Sequence, residues 1–294
     1  MEIAKVFFII NPFAGQQIPV LESISDIFDG SKIEYQVYEL KEGESAETIA
    51  RAQIGSYDLI AIYGGDGSVT ATGSALIGTS TPLAIIPGGT ANVLAKEMGI
   101  PTEAKEALTL IHNGRYKLKT IDTGRVNGQP FLLRVSLGIM ATMITEAVPE
   151  LKDQLGQMAY GVSAIKTIYE AEPVNYTIDI DGKIIHTQGV SLTITNSGSM
   201  GIGDLQLQPG ISISDGLLDI ILLKDAGILS LVKAAGSSLL QYKTDAISHW
   251  AGRKVKVTMQ QQQVYLLDDC GYEAKELNIE VIPSSLSVVI PVKD

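Results

Sequence analysis

Apolar and polar positions alternate along this chain in two different rhythms. Residues 5–10 (KVFFII) form a short, wholly apolar run closed by Asn11-Pro12, which predicts a strand buried on both faces. Leu21, Ile24, Ile27 and Phe28 then recur at helical spacing and predict a helix over 19–28. Residues 33–40 alternate as a second strand, and Ser45 stands where it would cap a helix running to about residue 54. A third strand is predicted at 59–63, followed by a glycine-rich stretch and a helix at 68–77. A fourth lies at 82–86, followed by Pro87-Gly88-Gly89-Thr90-Ala91-Asn92, a helix ending at Gly99-Ile100-Pro101, and another helix over 103–112. This alternation of strand and helix predicts a parallel sheet with helices on both faces, and such sheets bind ligands at the carboxyl ends of their strands.

Beyond Ile121-Asp122-Thr123-Gly124 the rhythm becomes that of antiparallel strands. Residues 131–137, 174–180, 183–195, 217–223, 254–259 and 264–267 read as strands, and Asn127-Gly128 and Asp181-Gly182 are hairpin turns by composition. Helices are expected near 160–170 and 228–240, the run Gln260 to Gln263 reads as a hairpin tip, and 286–291 is a last apolar strand able to join either half. The fold class is an α/β N-terminal domain with a parallel sheet, plus a mostly antiparallel β second domain. The domains are expected at 1–122, with 284–294 as a returning segment, and at 123–283.

Composition narrows the classes. Hydrophobic residues make up 45% of 294, enough for two cores, so global disorder is excluded. The net charge of −11 argues against a nucleic-acid binder. A single cysteine, Cys270, permits no disulfide within the chain and fits a reducing compartment. The start shows no basic region ahead of its apolar run, as a signal peptide would, and no apolar stretch reaches the ~20 residues of a membrane span. The expectation is a cytoplasmic protein.

The candidate chemistry lies at the strand ends. Gly64-Gly65-Asp66-Gly67-Ser68 follows the third strand and opens a helix. Glycine lets a backbone N–H approach a phosphate closely, and a helix N-terminus adds donors and partial positive charge. Asp66 belongs beside a metal ion, a ribose hydroxyl or an attacking hydroxyl. No Walker A pattern occurs, and no Gly-x-Gly-x-x-Gly follows the first strand. Taken alone, Asp122 could cap a strand end, and Asp215-Gly216 could be a plain hairpin turn. His112, His186 and His249 are scattered and suggest no metal site.

Gly-Gly-Asp-Gly-Ser followed by Pro-Gly-Gly-Thr-Ala-Asn resembles the catalytic domain of diacylglycerol kinases and related bacterial lipid kinases. The Gly-Gly-Asp-Gly part alone is also similar to NAD kinases and phosphofructokinases, whose fold the first domain is then expected to share. Nearly the whole chain takes part in the resemblance, through Asn11-Pro12-Phe13-Ala14-Gly15, Asp122-Thr123-Gly124, Phe131 to Gly138, Asn196, Gly201, Gly203, Pro209, Asp215-Gly216-Leu217-Leu218-Asp219 and Pro283-Ser284-Ser285-Leu286.

The resemblance implies an ATP-dependent lipid kinase that phosphorylates diacylglycerol or a related lipid in phospholipid metabolism. It implies ATP lined by Asn11, Pro12, Phe13, Ala14, Gly15, Gly64, Gly65, Asp66, Gly67, Ser68, Gly89, Thr90 and Asn92. It places Asp66 and Asp122 near the phosphates and a catalytic Mg2+, and a structural Mg2+ on Asp215 with the carbonyls of Ser212 and Leu217. The partner would be a lipid acceptor met peripherally at a membrane surface; a homodimer is compatible and nucleic acid is not.

Several positions depart from the family pattern. Ser68 replaces the usual threonine, Val93 stands where many members carry aspartate, and Gly138-Ile139-Met140 replaces Gly-Phe-Asp. The family's Asp-Gly-Glu, whose glutamate serves as catalytic base, falls in Leu267-Asp268-Asp269-Cys270-Gly271-Tyr272-Glu273. One alignment puts Cys270 on the glutamate; another, with a local insertion, recovers Asp269, Gly271 and Glu273, making Glu273 the base. Two alternatives to the lipid kinase follow: an NAD kinase-like enzyme, from the shared Gly-Gly-Asp-Gly, and a catalytically silent nucleotide- or lipid-binding regulator, from the doubtful glutamate.

Overall fold

The structure, a computed structural model, describes residues 3–15, 19–139, 141, 172–198, 210–225, 245–268 and 270–292. The helices expected near 160–170 and 228–240, and Gly201, Gly203, Pro209 and Asp269, lie outside them. The chain divides into two compact units, residues 1–121 with 284–294, and residues 122–283.

In the first unit β1 (Lys5–Ile10), β2 (Glu34–Glu39), β3 (Leu59–Gly64) and β4 (Leu83–Pro87) form a parallel sheet in the order β2-β1-β3-β4. The end of β14 (Cys270–Pro291) adds to β4 in parallel, Val288 opposite Leu83. β3 and β4 are buried at every position, as a sheet covered on both faces requires. Helix α1 (Val20–Phe28) turns Val20, Ile24 and Phe28 inward at four-residue intervals, onto a core with Phe8, Ile10 and Leu59. α2 (Ala46–Gln53), α3 (Asp66–Leu76), α4 (Val93–Glu97) and α5 (Ala104–His112) complete the crossovers. Ser45 occupies the N-cap of α2 with extended backbone, but its side chain makes no capping bond. α3 begins at Asp66 rather than near Ser68, because Gly65 is extended and acts as the N-cap. Asp66, Gly67 and Ser68 are thus the first turn of the helix.

In the second unit the described strands pair antiparallel. They are the end of β5 (Tyr116–Val126), β6 (Gln129–Phe131), β7 (Arg134–Gly138), β8 (Val174–Ile180), β9 (Lys183–Gly189), β10 (Ser191–Thr195), β11 (Leu218–Leu223), β12 (Ile247–Gly252), β13 (Lys254–Leu267) and the first part of β14. Their order is β12-β11-β10-β7-β13-β14, with β8 pairing β13 and β9 pairing β8. Val135, Leu137, Leu192, Ile194, Ile220, Leu222, Val257 and Tyr265 share one core. Both expected hairpin turns form. Asn127 and Gly128 have φ of 48° and 89°, and Asp181 and Gly182 have 50° and 90°, so both turns use the left-handed residues that a two-residue hairpin demands.

Two strand expectations are corrected. Residues 183–195 are two strands, not one: among the described strands β9 pairs only β8, whereas β10 runs between β7 and β11. The break falls at Val190, just after Gly189, where a methyl group would come within 2.5 Å of the Leu223 carbonyl oxygen. Gln260 to Gln263 is not a hairpin tip but part of β13, at a bulge where the register with β14 shifts between Thr258 and Gln263. β12 and the first part of β14 carried too little apolar alternation to be read as strands, since much of 270–280 is exposed.

Candidate active site

Three loops meet at the carboxyl ends of β1, β3 and β4. Asn11, just after β1, is fixed through its backbone, its N–H donating to the Tyr63 carbonyl at 2.9 Å. Its side chain works in both directions: Nδ2 donates to Ser68 Oγ at 2.8 Å, and Oδ1 accepts the N–H of Phe13 at 2.9 Å. Ser68 is in the first turn of α3, so the first loop is tied to that helix N-terminus. Asp66, also in that turn, accepts the Val93 N–H on Oδ1 at 2.6 Å and so caps α4 across the loop that follows β4. Asn92, in the left-handed region at φ 48°, closes that loop on itself: Oδ1 accepts the Gly89 N–H at 3.0 Å and Nδ2 donates to the Gly89 carbonyl at 2.7 Å.

The glycines differ in what requires them. A methyl group on Gly64 would come within 2.6 Å of Ser68 Cβ, and one on Gly89 within 2.5 Å of Gly65 Cα. Those positions let the loops touch. Gly67 is exposed, has no positive φ, and a methyl group there would meet nothing within 4 Å. Glycine inside a helix costs about 1 kcal/mol relative to alanine, and neither packing nor backbone strain compensates it here. The open space lies against the end of α3, where the first N–H groups of a helix have no intrahelical partner and carry partial positive charge. An anion fits such a place. Gly15 stands beside Thr90, 3.7 Å from its Cβ position to Oγ1, so residue 90 belongs to the same layer.

The expected residues of the second unit behave differently. Asp122 is 1% exposed; its Oδ2 accepts the Gly216 N–H at 2.6 Å, its own N–H donates to the Ile213 carbonyl, and its carbonyl accepts Asn196 Nδ2 at 2.6 Å. It fastens the 213–216 loop. Asp215 lies in that loop, exposed, with Oδ1 accepting the Leu217 N–H at 3.0 Å, and Gly216 follows it at φ 77°. The loop therefore brings Ser212, Asp215 and Leu217 into one turn. Among the described residues no group of three or more His, Cys, Asp or Glu gathers as a metal site; this turn has one carboxylate and otherwise carbonyls. Nearby, burial lifts the Asp219 carboxyl above its usual range, while a 2.6 Å contact to His249 Nε2 pulls the other way.

One important carboxylate was not singled out from the sequence. Asp268 is buried and takes the N–H groups of Leu132, Leu133 and Arg134 at 3.1, 3.0 and 2.8 Å. Its own φ is 50°, in a turn closed by Leu267 opposite Cys270. Glu273, three residues into β14, pairs with Val264 and accepts Gln262 Nε2 at 2.9 Å. Side chains alternate along a strand, so Cys270 and Glu273 point to opposite faces of β14.

Residues 5–126 match the model of the diacylglycerol kinase catalytic domain, and residues 134–290 match that of the YegS C-terminal NAD kinase beta sandwich-like domain. The chain is 30% identical to a diacylglycerol kinase of Bacillus subtilis over 278 residues, 91% of this chain and 89% of that one. The chain belongs to the diacylglycerol kinase family. A crystal structure from Bacillus anthracis superposes on this member of the family with a TM-score of 0.84 at 26% identity, over 99% of this chain and 96% of the other. An uncharacterized Synechocystis protein is 32% identical over 237 residues, 79% of this chain; the chain spans about half of that protein, 54%. The family model of the first domain covers all three loops described above, and the expected fold, a parallel α/β domain with an antiparallel β domain, is the fold of this family.

Proposed function

We propose that this member of the diacylglycerol kinase family is an ATP- and Mg2+-dependent lipid kinase acting on the hydroxyl of diacylglycerol or a similar lipid. The observation that carries the reading is the cross-tied set of three loops around the first turn of α3, with Gly67 left uncrowded. The N–H groups of that turn would take the phosphates of ATP, and Ser68, held by Asn11, would line the same place. Asp66, in the same turn, keeps the loop after β4 in position.

In the transfer, the acceptor hydroxyl oxygen bonds to the γ-phosphorus and gives its proton to a base or to water, the bond from γ-phosphorus to the bridging oxygen breaks, and ADP leaves with that oxygen. Such chemistry depends on positioning and on neutralising phosphate charge. A bound Mg2+ would supply part of that charge. For the structural ion, the Asp215 carboxylate with the Ser212 and Leu217 carbonyls is an all-oxygen donor set of the kind a hard cation takes. Asp122, which holds this loop through Gly216, then acts on the ion through the loop.

The hairpin register bears on the base. Asp-Gly is a two-residue turn, so in an Asp-Gly-Glu the glutamate is the first residue past the turn. Here Leu267 pairs with Cys270, so Cys270 is the first paired residue past the turn. From Cys270 to Glu280 the bulge sits in β13 and β14 advances without an extra residue, which favours Cys270 over Glu273 for that position. This supports a second reading, a catalytically silent nucleotide- or lipid-binding regulator.

The experiment is transfer of label from γ-labelled ATP in mixed micelles containing diacylglycerol or a panel of other lipids, with NAD in parallel. Labelled phosphatidate, or another labelled phospholipid, is expected. Labelled NADP would show the NAD kinase-like alternative instead, and ATP binding without any labelled product would show the silent regulator.

A further inference from the structure

Phe13 is the most exposed large hydrophobic side chain among the described residues, at 66%. An exposed phenylalanine forgoes roughly 1.5–3 kcal/mol of burial. Yet Phe13 is not on a loose segment. Its N–H is held by Asn11 Oδ1 at 2.9 Å, the next N–H, of Ala14, donates to the Asn11 carbonyl at 3.2 Å, and Ala14 packs on the first unit's core. The same Asn11 side chain grips Ser68 in the first turn of α3. One residue therefore fixes both the ring's place in the loop and that loop's distance from the helix N-terminus.

We infer that Phe13 is a stacking platform for the base of the nucleoside triphosphate, and that it makes this chain favour purine over pyrimidine triphosphates. The inference rests on the nucleotide reading of the glycine loop given above. A triphosphate seated on the first turn of α3 must lay its base on a neighbouring loop, and the loop tied to that turn by Asn11 offers a flat apolar ring to water. Every base has a π-face, and larger rings overlap an aromatic side chain more fully. The other class of occupant for an exposed aromatic ring is a lipid bilayer. The segment Asn11-Pro12-Phe13-Ala14-Gly15 has no lysine or arginine, and the chain carries a net charge of −11, so electrostatics gives no help toward an anionic surface.

The test uses the full chain, as wild type, Phe13→Ala and Phe13→Trp, titrated with ATP, CTP and inorganic tripolyphosphate in the presence of Mg2+. Wild type should bind ATP more tightly than CTP. Phe13→Ala should weaken ATP by about tenfold and leave tripolyphosphate unchanged. Phe13→Trp should keep ATP affinity, with emission from the new indole quenched by ATP and not by tripolyphosphate. Equal ATP affinity in wild type and Phe13→Ala overturns the inference while leaving the nucleotide site standing. Equal loss of ATP and tripolyphosphate also overturns it, showing that the ring only shapes the loop. Lost binding to phosphatidylcholine vesicles with ATP affinity intact assigns the ring to lipid instead. A wild type that binds no ATP removes both this inference and the reading on which it rests.

Discussion

Asp66 and Asp122 are both aspartates that close a strand-side loop, and their settings differ. Asp66 is half-buried and spends one oxygen on the Val93 N–H, at a helix end where Gly67 leaves room. Asp122 is enclosed, with its carboxylate on Gly216 and its main chain joined to Ile213 and Asn196. Asp268 goes further, holding three successive N–H groups. In the first unit polar side chains tie loops to one another and leave space beside a helix N-terminus. In the second, carboxylates fasten loops to strands. The same residue type thus ties loops beside an open helix end in one unit and fastens a loop to strands in the other, and the neighbours decide which.

The largest effect expected from this contrast is at Asp268. Asp268→Ala leaves three buried N–H groups without their acceptor, and should destabilise the protein by about 3–5 kcal/mol in urea unfolding. A change below 1 kcal/mol would mean that water replaces the carboxylate and that the scaffold role is wrong. Asn92→Ala removes both bonds to Gly89 and puts alanine at φ 48°, at a cost of about 2–3 kcal/mol. Asn92→Gly should recover the backbone part only, which separates strain from hydrogen bonding. Gly67→Ala sharpens the comparison from the opposite side: with nothing within 4 Å, it should leave stability unchanged or raise it by up to about 1 kcal/mol.

The smallest effect is the pH dependence from Asp181. Its carboxylate accepts the N–H groups of Arg253 and Lys254, and those bonds hold its pKa below the usual aspartate value. A lowered folded pKa gives stability that is full above the unfolded value, about 3.9, and is lost as pH falls through the folded one. Wild type should therefore exceed Asp181→Asn in urea midpoint above about pH 4, and the gap should shrink on further acidification. A gap that widened toward acid would contradict the assignment.

Much of this was legible from the chain itself. The glycines and the apolar runs before them place strand and turn within a short window, since their signals are local, and miss the start of α3 by two residues. Asn127-Gly128 and Asp181-Gly182 are legible for the same reason. The bonds from Asn11 to Ser68 and from Asp66 to Val93 are not, because they join residues 57 and 27 positions apart and depend on the order of strands in the sheet. Asp268 was overlooked because its partners lie more than 130 positions away, beyond any local pattern. Gln260 to Gln263 misled because a polar run inside an exposed strand resembles a turn until its register with β14 is known.

The central claim is that the space at Gly67 exists for a nucleotide rather than for the fold. Calorimetric titration of ATP with Mg2+ into wild type and Gly67→Ala tests it most directly. The account predicts one ATP bound by wild type and binding weakened at least tenfold in a Gly67→Ala protein that unfolds at the same urea concentration or higher. Equal ATP binding by the two proteins would contradict it.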